Sequence, residues 1–217
     1  MGTITRSFAN NITTSGVLLP ASLVNNSIAN VTSYNAAVAT GGMVLISSQT
    51  ASNSASISFT TGIDSTYKEY QFWFVDIHSR SDSVNFQFNL SIDSGSNYNV
   101  TKTTTAFEAY HLEADGSQAL GYEGGFDLAQ STAFQALSLN NGSGADESNS
   151  GYLSLFNPAS TTYVKHFISV SNANSASDYS INDYIAGYGN TTSAVNAVQF
   201  KMSSGNFDGT ILMYGIV

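Results

Sequence analysis

Glu108, His111, Glu113 and Asp115 form the densest run of titratable side chains in the sequence. On an extended strand alternate residues share a face, about 7 Å apart, so His111, Glu113 and Asp115 would line up on one side. Imidazole nitrogen and carboxylate oxygen in that arrangement are candidate ligands for a divalent cation. The same residues also suit a solvated strand end leading into the Asp115-Gly116 turn. That second reading is the expected one, with no bound metal and no cofactor.

A second oxygen-rich stretch, Asp93-Ser94-Gly95-Ser96-Asn97-Tyr98-Asn99, has the texture of a calcium loop. The helix–loop–helix pattern needs Gly at its sixth place and Glu at its twelfth, where this chain has Tyr98 and Thr104. The segment therefore reads as a hairpin turn. His78 and His166 are isolated, and no Gly-x-Ser-x-Gly elbow, phosphate loop or His-Glu-x-x-His pattern occurs. An enzyme is not expected. A glycan-cleaving alternative would require two carboxylates facing each other across a groove. Among 12 Tyr and 13 Phe, the residues Tyr110, Tyr122, Tyr184 and Tyr188 fall near turns or strand ends. They are candidate ligand-binding or interface positions, because a tyrosine ring offers a flat apolar face with a polar tip.

Charge narrows the classes further. Only 10% of the 217 residues are charged, and the formal net charge is -9. The basic residues Arg6, Lys68, Arg80, Lys102, Lys165 and Lys201 are scattered, so no stripe exists to neutralise a phosphate backbone. Nucleic acid is not an expected partner, and no apolar window is long enough to span a membrane as a helix. Cysteine is absent, which excludes disulfides and thiolate sites. The first ten residues lack a basic segment followed by an apolar one, so the expectation is synthesis in a cytosol. Solubility rests instead on Ser, Thr, Asn and Gly, whose short side chains lose little entropy when packed against a neighbour.

The elements follow from period-two patterning. Residues 43–46 open a strand, and Ile57 with Phe59 begins the next. Residues 67–77 carry Tyr70, Phe72 and Phe74 on one face and Trp73, Val75 and Ile77 on the other, which predicts a strand covered on both sides. Residues 83–92 alternate Val84, Phe86, Phe88, Leu90 and Ile92 with polar partners, which predicts one dry and one wet face. The Ser79-Arg80-Ser81-Asp82 bend between these two runs reads as a hairpin. Further strands are expected at 103–111, 134–139, 152–156, 163–170, 194–202 and 209–216, with one short helical turn at 126–132. About ten strands with short polar turns predict an all-β fold, a two-sheet antiparallel sandwich of jelly-roll type. Residues 1–41, polar and carrying Pro20 with apolar patches at 17–19 and 36–39, read as an extended N-terminal arm or docking segment ahead of a sandwich domain at 42–217.

The segment Phe59-Thr60-Thr61-Gly62-Ile63-Asp64-Ser65-Thr66-Tyr67-Lys68-Glu69-Tyr70, followed by the aromatic run to Ile77 and by Asp93-Ser94-Gly95, resembles a stretch recurring in structural and tail-associated proteins of marine, cyanophage-like bacteriophages. The end of the chain is similar to the closing hairpin of such proteins: a strand at 198–202, the turn Ser203-Ser204-Gly205-Asn206 and a last strand at 209–216. The resemblance spans residues 50–217 and implies a virion structural protein on the particle exterior, as capsid decoration or as part of a tail or fibre. It carries no catalytic residues. It implies other virion proteins and copies of itself as partners, with a trimer by analogy to viral jelly rolls and fibres. A host-receptor or glycan-binding adhesin is the alternative.

Overall fold

The computed structural model describes residues 42–217; the expected arm at 1–41 lies outside them. Twelve strands form: β1 (Met43–Ser54), β2 (Ile57–Phe59), β3 (Glu69–Ser79), β4 (Val84–Ser91), β5 (Lys102–Leu112) and β6 (Gln118–Tyr122), then β7 (Gln135–Asn141), β8 (Asn149–Phe156), β9 (Lys165–Asn174), β10 (Tyr179–Gly189), β11 (Ala197–Met202) and β12 (Phe207–Ile216). They build two antiparallel sheets, a large one in the order β1-β12-β3-β8-β9-β10-β5-β6 and a small one in the order β2-β11-β4-β7. The chain is an all-β sandwich, as expected. The order β1-β12-β3-β8 laid against β2-β11-β4-β7 is the jelly-roll connectivity. β5-β6 and β9-β10 are insertions that widen only the large sheet.

Phenylalanines fill the space between the sheets. Phe200 of β11 lies 5.3 Å from the rings of both Phe72 and Phe74, and stacks on Phe86 at 5.8 Å. Phe59 and Phe207 close the ends of this cluster, and Phe88 meets Phe167 edge-on at 4.9 Å. Every one of these rings is buried.

Four local expectations are corrected. The 79–82 bend, the 203–206 turn and the 93–97 loop are not hairpins, because each carries the chain from one sheet to the other. Hairpins occur instead at β5-β6, β8-β9 and β9-β10, all on the side of the insertions. β3 is not covered on both sides: Trp73 and Val75 are exposed, and Ile77 turns inward. Trp73 and Val75 lie on the uncovered outer face, and Ile77 is turned inward by a bulge at Asp76, which adopts a φ of 50° and adds one residue to β3 opposite β12. Gly209 faces the bulge with a φ of 127°, and a Cβ there would come within 2.6 Å of the Asp76 carbonyl. On β4, Ile92 just past the strand is exposed while Asn89 and Ser91 are buried under the following loop. Residues 126–132 form no helical turn; Ser131 instead bridges to Lys102.

Phe200→Ala removes the ring at the centre of the cluster, and a loss of about 3–5 kcal/mol is expected from a buried Phe-to-Ala change. Urea or guanidinium unfolding followed by fluorescence measures it, and a loss below about 1 kcal/mol would contradict this packing.

Candidate functional site on the outer face of the large sheet

Burying the phenylalanines fixes the other side of each strand. With Phe72, Phe74, Leu153, Phe167, Ile185 and Ala106 turned inward, the alternate residues of β3, β8, β9, β10 and β5 must face out. The strand registers then place Ser48, Leu212, Trp73, Tyr152, Val170, Tyr184, Phe107 and Tyr122 in one continuous row across all eight strands. Seven inter-strand spacings make this row about 34 Å long. Trp73 lies 6.2 Å from Tyr152, and Phe107 stacks on Tyr184 at 4.9 Å with the rings 7° from parallel. The row on one side holds Leu45, Tyr214, Gln71, Ser154, Ile168, Ala186 and Thr105. Thr50, Thr210, Val75, Asn172, Asn182 and Leu120 stand on the other side. None of the residues named in these rows is Asp, Glu, Lys or Arg; the exposed Asp76 of the bulge stands beside Val75 at their margin. Trp73 (42% exposed), Phe107 (41%), Ile168 (47%) and Leu120 (72%) present their apolar surface to solvent. Antiparallel sheets with one wet face ordinarily turn polar side chains outward. This one sets an aromatic central row between flanking rows that mix uncharged polar and apolar side chains.

The face is indented at one end. Ala186 is small between Tyr184 and Tyr188, and the gap forms a groove of about 490 Å³ walled by Phe156, His166, Ile168 and Tyr188. A second hollow of about 480 Å³ shares Phe156 and His166 and extends to Tyr163 and Thr192.

Of the four tyrosines singled out in the sequence, three share this face. Tyr184 and Tyr122 stand in the central row and Tyr188 lines the groove. The Tyr122 hydroxyl donates to Asp127 at 2.6 Å. Tyr110 is on the opposite face, edge-on to Tyr179 at 5.4 Å, and lines a small cavity of about 160 Å³ with Glu108. The candidate metal ligands do not share a strand side. β5 ends at Leu112, Asp115 turns back with a φ of 55°, and the backbone N–H of Glu113 donates to Asp178. His111 and Asp115 meet at 3.2 Å as an exposed pair, and among the described residues no three His, Asp or Glu side chains converge as a metal site. The Asp93 carboxylate is used locally: it accepts from the Ser91 hydroxyl at 2.6 Å and from the Asn97 backbone and side chain. These bonds hold its pKa down at about 2.

Sequence reasoning missed the buried ionisable groups on the inner face. Asp183 of β10 is wholly buried opposite Glu108 of β5. Its Oδ2 accepts the Leu139 N–H of β7 at 3.0 Å, while its Oδ1 has no partner. Burial pushes its pKa up to about 7 against the opposing Leu139 bond, and the charges of Glu108 and Glu123 add to the rise. Beside it the Ser171 hydroxyl donates to Leu137 O at 2.6 Å, so side chains of the large sheet cap β7 where a further strand would otherwise pair. Lys102, also wholly buried, donates to Asn89 Oδ1 at 2.5 Å and Val100 O at 2.8 Å, and burial lowers its pKa to about 7. A lone Asp or Lys in a strand gives no sequence signal of burial, because burial here comes from the loops and from β7. The carboxyl pair Glu108–Asp183 faces away from the groove.

The chain matches no family model, no curated protein and no solved structure.

Asp183 sets a pH dependence. The unfolded carboxyl ionises near its ordinary value of 3.8, whereas the folded one holds its proton to about 7. The stability it contributes is therefore complete below about pH 4 and is lost as pH rises to about 7, by roughly 4 kcal/mol at most. Asp183→Asn is expected to remove most of this fall. Melting temperatures of both proteins from pH 4 to 8 measure it, and parallel curves would contradict the assignment.

Proposed function

We propose that this chain is a non-catalytic structural component of a virion exterior, a capsid decoration or a tail or fibre part, that works by packing against copies of itself and neighbouring virion proteins. The observation that carries the packing half of this reading is the uncharged aromatic face of the large sheet. An exposed row of aromatic and aliphatic side chains running across a whole sheet is unusual on a monomer and marks an interaction site. Its size matters too. A face about 34 Å wide and about 20 Å high offers close to the ~800 Å² per partner that stable complexes bury. The chain carries a net charge of -9, so a contact made through these rows avoids the cost of bringing many carboxylates together. The sequence resemblance to phage structural proteins supports the virion station.

The groove favours a second reading. Phe156, Tyr163, His166 and Tyr188 offer aromatic faces beside Asn157, Thr103 and Thr105, the mixture of flat apolar and hydrogen-bonding groups that sugars require. A glycan-binding adhesin of the tail or fibre would use it, and the purified chain on a glycan array is the discriminating experiment.

For the packing reading, light scattering across a concentration series is expected to show an oligomer. The pair Trp73→Asp and Ile168→Asp should weaken it roughly tenfold or more each, since each buries a charge in a face without partners for it. Labelled antibody against the chain should decorate the outside of intact particles in electron micrographs. A monomer at all concentrations and undecorated particles would overturn the proposal.

A further inference from the structure

An antiparallel sandwich has sheet edges, and every edge strand exposes unpaired backbone groups that can template another strand. Three of the four edges here are managed. β2 is only Ile57–Phe59, and Gln49 Nε2 donates to its Ser58 carbonyl at 2.9 Å. β7 is capped by Ser171 and Asp183 of the large sheet. β1 is broken by register shifts at Leu45/Ser47 and at Ala51/Ser54, and irregularities of this kind twist an edge away from pairing.

β6 has none of these protections. All five residues of Gln118-Ala119-Leu120-Gly121-Tyr122 are exposed, and none is charged, proline or bulged. Its pairing with β5 is regular, and the flanking bonds fix its phase. Leu112 N–H donates to Ser117 O, and Glu123 N–H donates to Ala106 O, both at 2.8 Å. In an antiparallel ladder, bonded and non-bonded pairs alternate. Ala119 and Gly121 therefore bond to β5, while Gln118, Leu120 and Tyr122 direct their N–H and C=O groups away from it. Among the described residues these outward groups have no backbone partner.

We infer that β6 is a strand-addition site for β6 of a second copy, the two strands running antiparallel about a two-fold axis at Leu120. The inference rests on the packing reading above and adds an edge contact that would widen the face available for packing. A second copy fits because the strand is complementary to itself. With Leu120 opposite Leu120 of the other copy, Gln118 falls opposite Tyr122, and the outward backbone groups of both strands bond reciprocally. Side chains agree with this arrangement. Leu120 and Tyr122, 72% and 58% exposed, lie on the uncharged outer face, so pairing would continue that face across the seam. Ala119 and Gly121 are on the other side and offer no bulk against close approach. Symmetry also brings the Glu113–Asp115 turn of one copy towards Glu123 and Asp127 of the other. Charge repulsion then opposes association, and salt relieves it over a screening length of about 8 Å at physiological ionic strength. A two-fold seam differs from the trimer expected by analogy.

Two variants of the full chain test this, with light scattering for mass and circular dichroism for folding. Leu120→Pro removes an N–H that β5 does not use, a position where proline is tolerated in an edge strand. The expected result is a folded chain that stays monomeric at concentrations where the wild type is dimeric, and wild-type association that tightens several-fold between about 50 and 500 mM salt. Leu120→Cys supplies the sole thiol of the chain, and mild oxidation is expected to give a covalent dimer on a non-reducing gel, since bonded antiparallel pairs place Cα atoms about 5.5 Å apart. If Leu120→Pro does not fold, the cysteine variant decides. An oligomeric wild type whose assembly survives Leu120→Pro, or whose Leu120→Cys form does not cross-link, overturns the seam and leaves the packing reading in place. A wild type that is monomeric throughout overturns both.

Discussion

The packing of Phe59, Phe72, Phe74, Phe86, Phe88, Phe200 and Phe207 between the sheets is the interaction on which the rest of the structure depends. A strand turns successive side chains to opposite faces, so placing these rings inside leaves no freedom about what lies outside. Trp73, Tyr152, Tyr184 and Phe107 are on the surface because their neighbours are in the core. The Asp76 bulge shows how strictly this holds: one added residue shifts the phase, and Ile77 enters the interior where regular alternation would have turned it out.

Much of this was legible in the sequence. Alternation in residues 83–92, the aromatic run at 67–77 and the spacing of polar turns pointed to an all-β sandwich and located ten of its twelve strands. Two were missed. β6 is a short run of small and uncharged residues with a single leucine, and β10 places Asp183, Gly187 and Gly189 where an inward strand usually carries apolar side chains. Turn chemistry was read correctly as turn and incorrectly as hairpin. A positive φ at Gly205 or Ser83 reverses the chain equally well within a sheet or between sheets, and only the facing layer decides which.

The candidate site was half visible. Tyr184 and Tyr188 were recognisable as aromatic anchors, but their partners in the row belong to strands far away in sequence, and no local signal links Trp73 to Tyr122. The His111, Glu113 and Asp115 pattern depended on a strand continuing three residues longer than it does. Asp183 and Lys102 illustrate the reverse case. Each is an ordinary polar residue in an alternating strand, and each becomes a buried, pKa-shifted group because a segment from elsewhere closes over it.

The large sheet has an inner face committed to folding and an outer face that we propose serves assembly. The chain contains no cysteine, so single thiols can report on that outer face without interference. The most direct measurement is the alkylation rate of Ile168→Cys, on the large sheet's outer face, beside Gln87→Cys on the small sheet, in dilute and concentrated protein. The account predicts that the thiol at 168 becomes protected as the protein associates while the thiol at 87 keeps its rate. Equal rates at 168 in dilute and fully associated protein would contradict it.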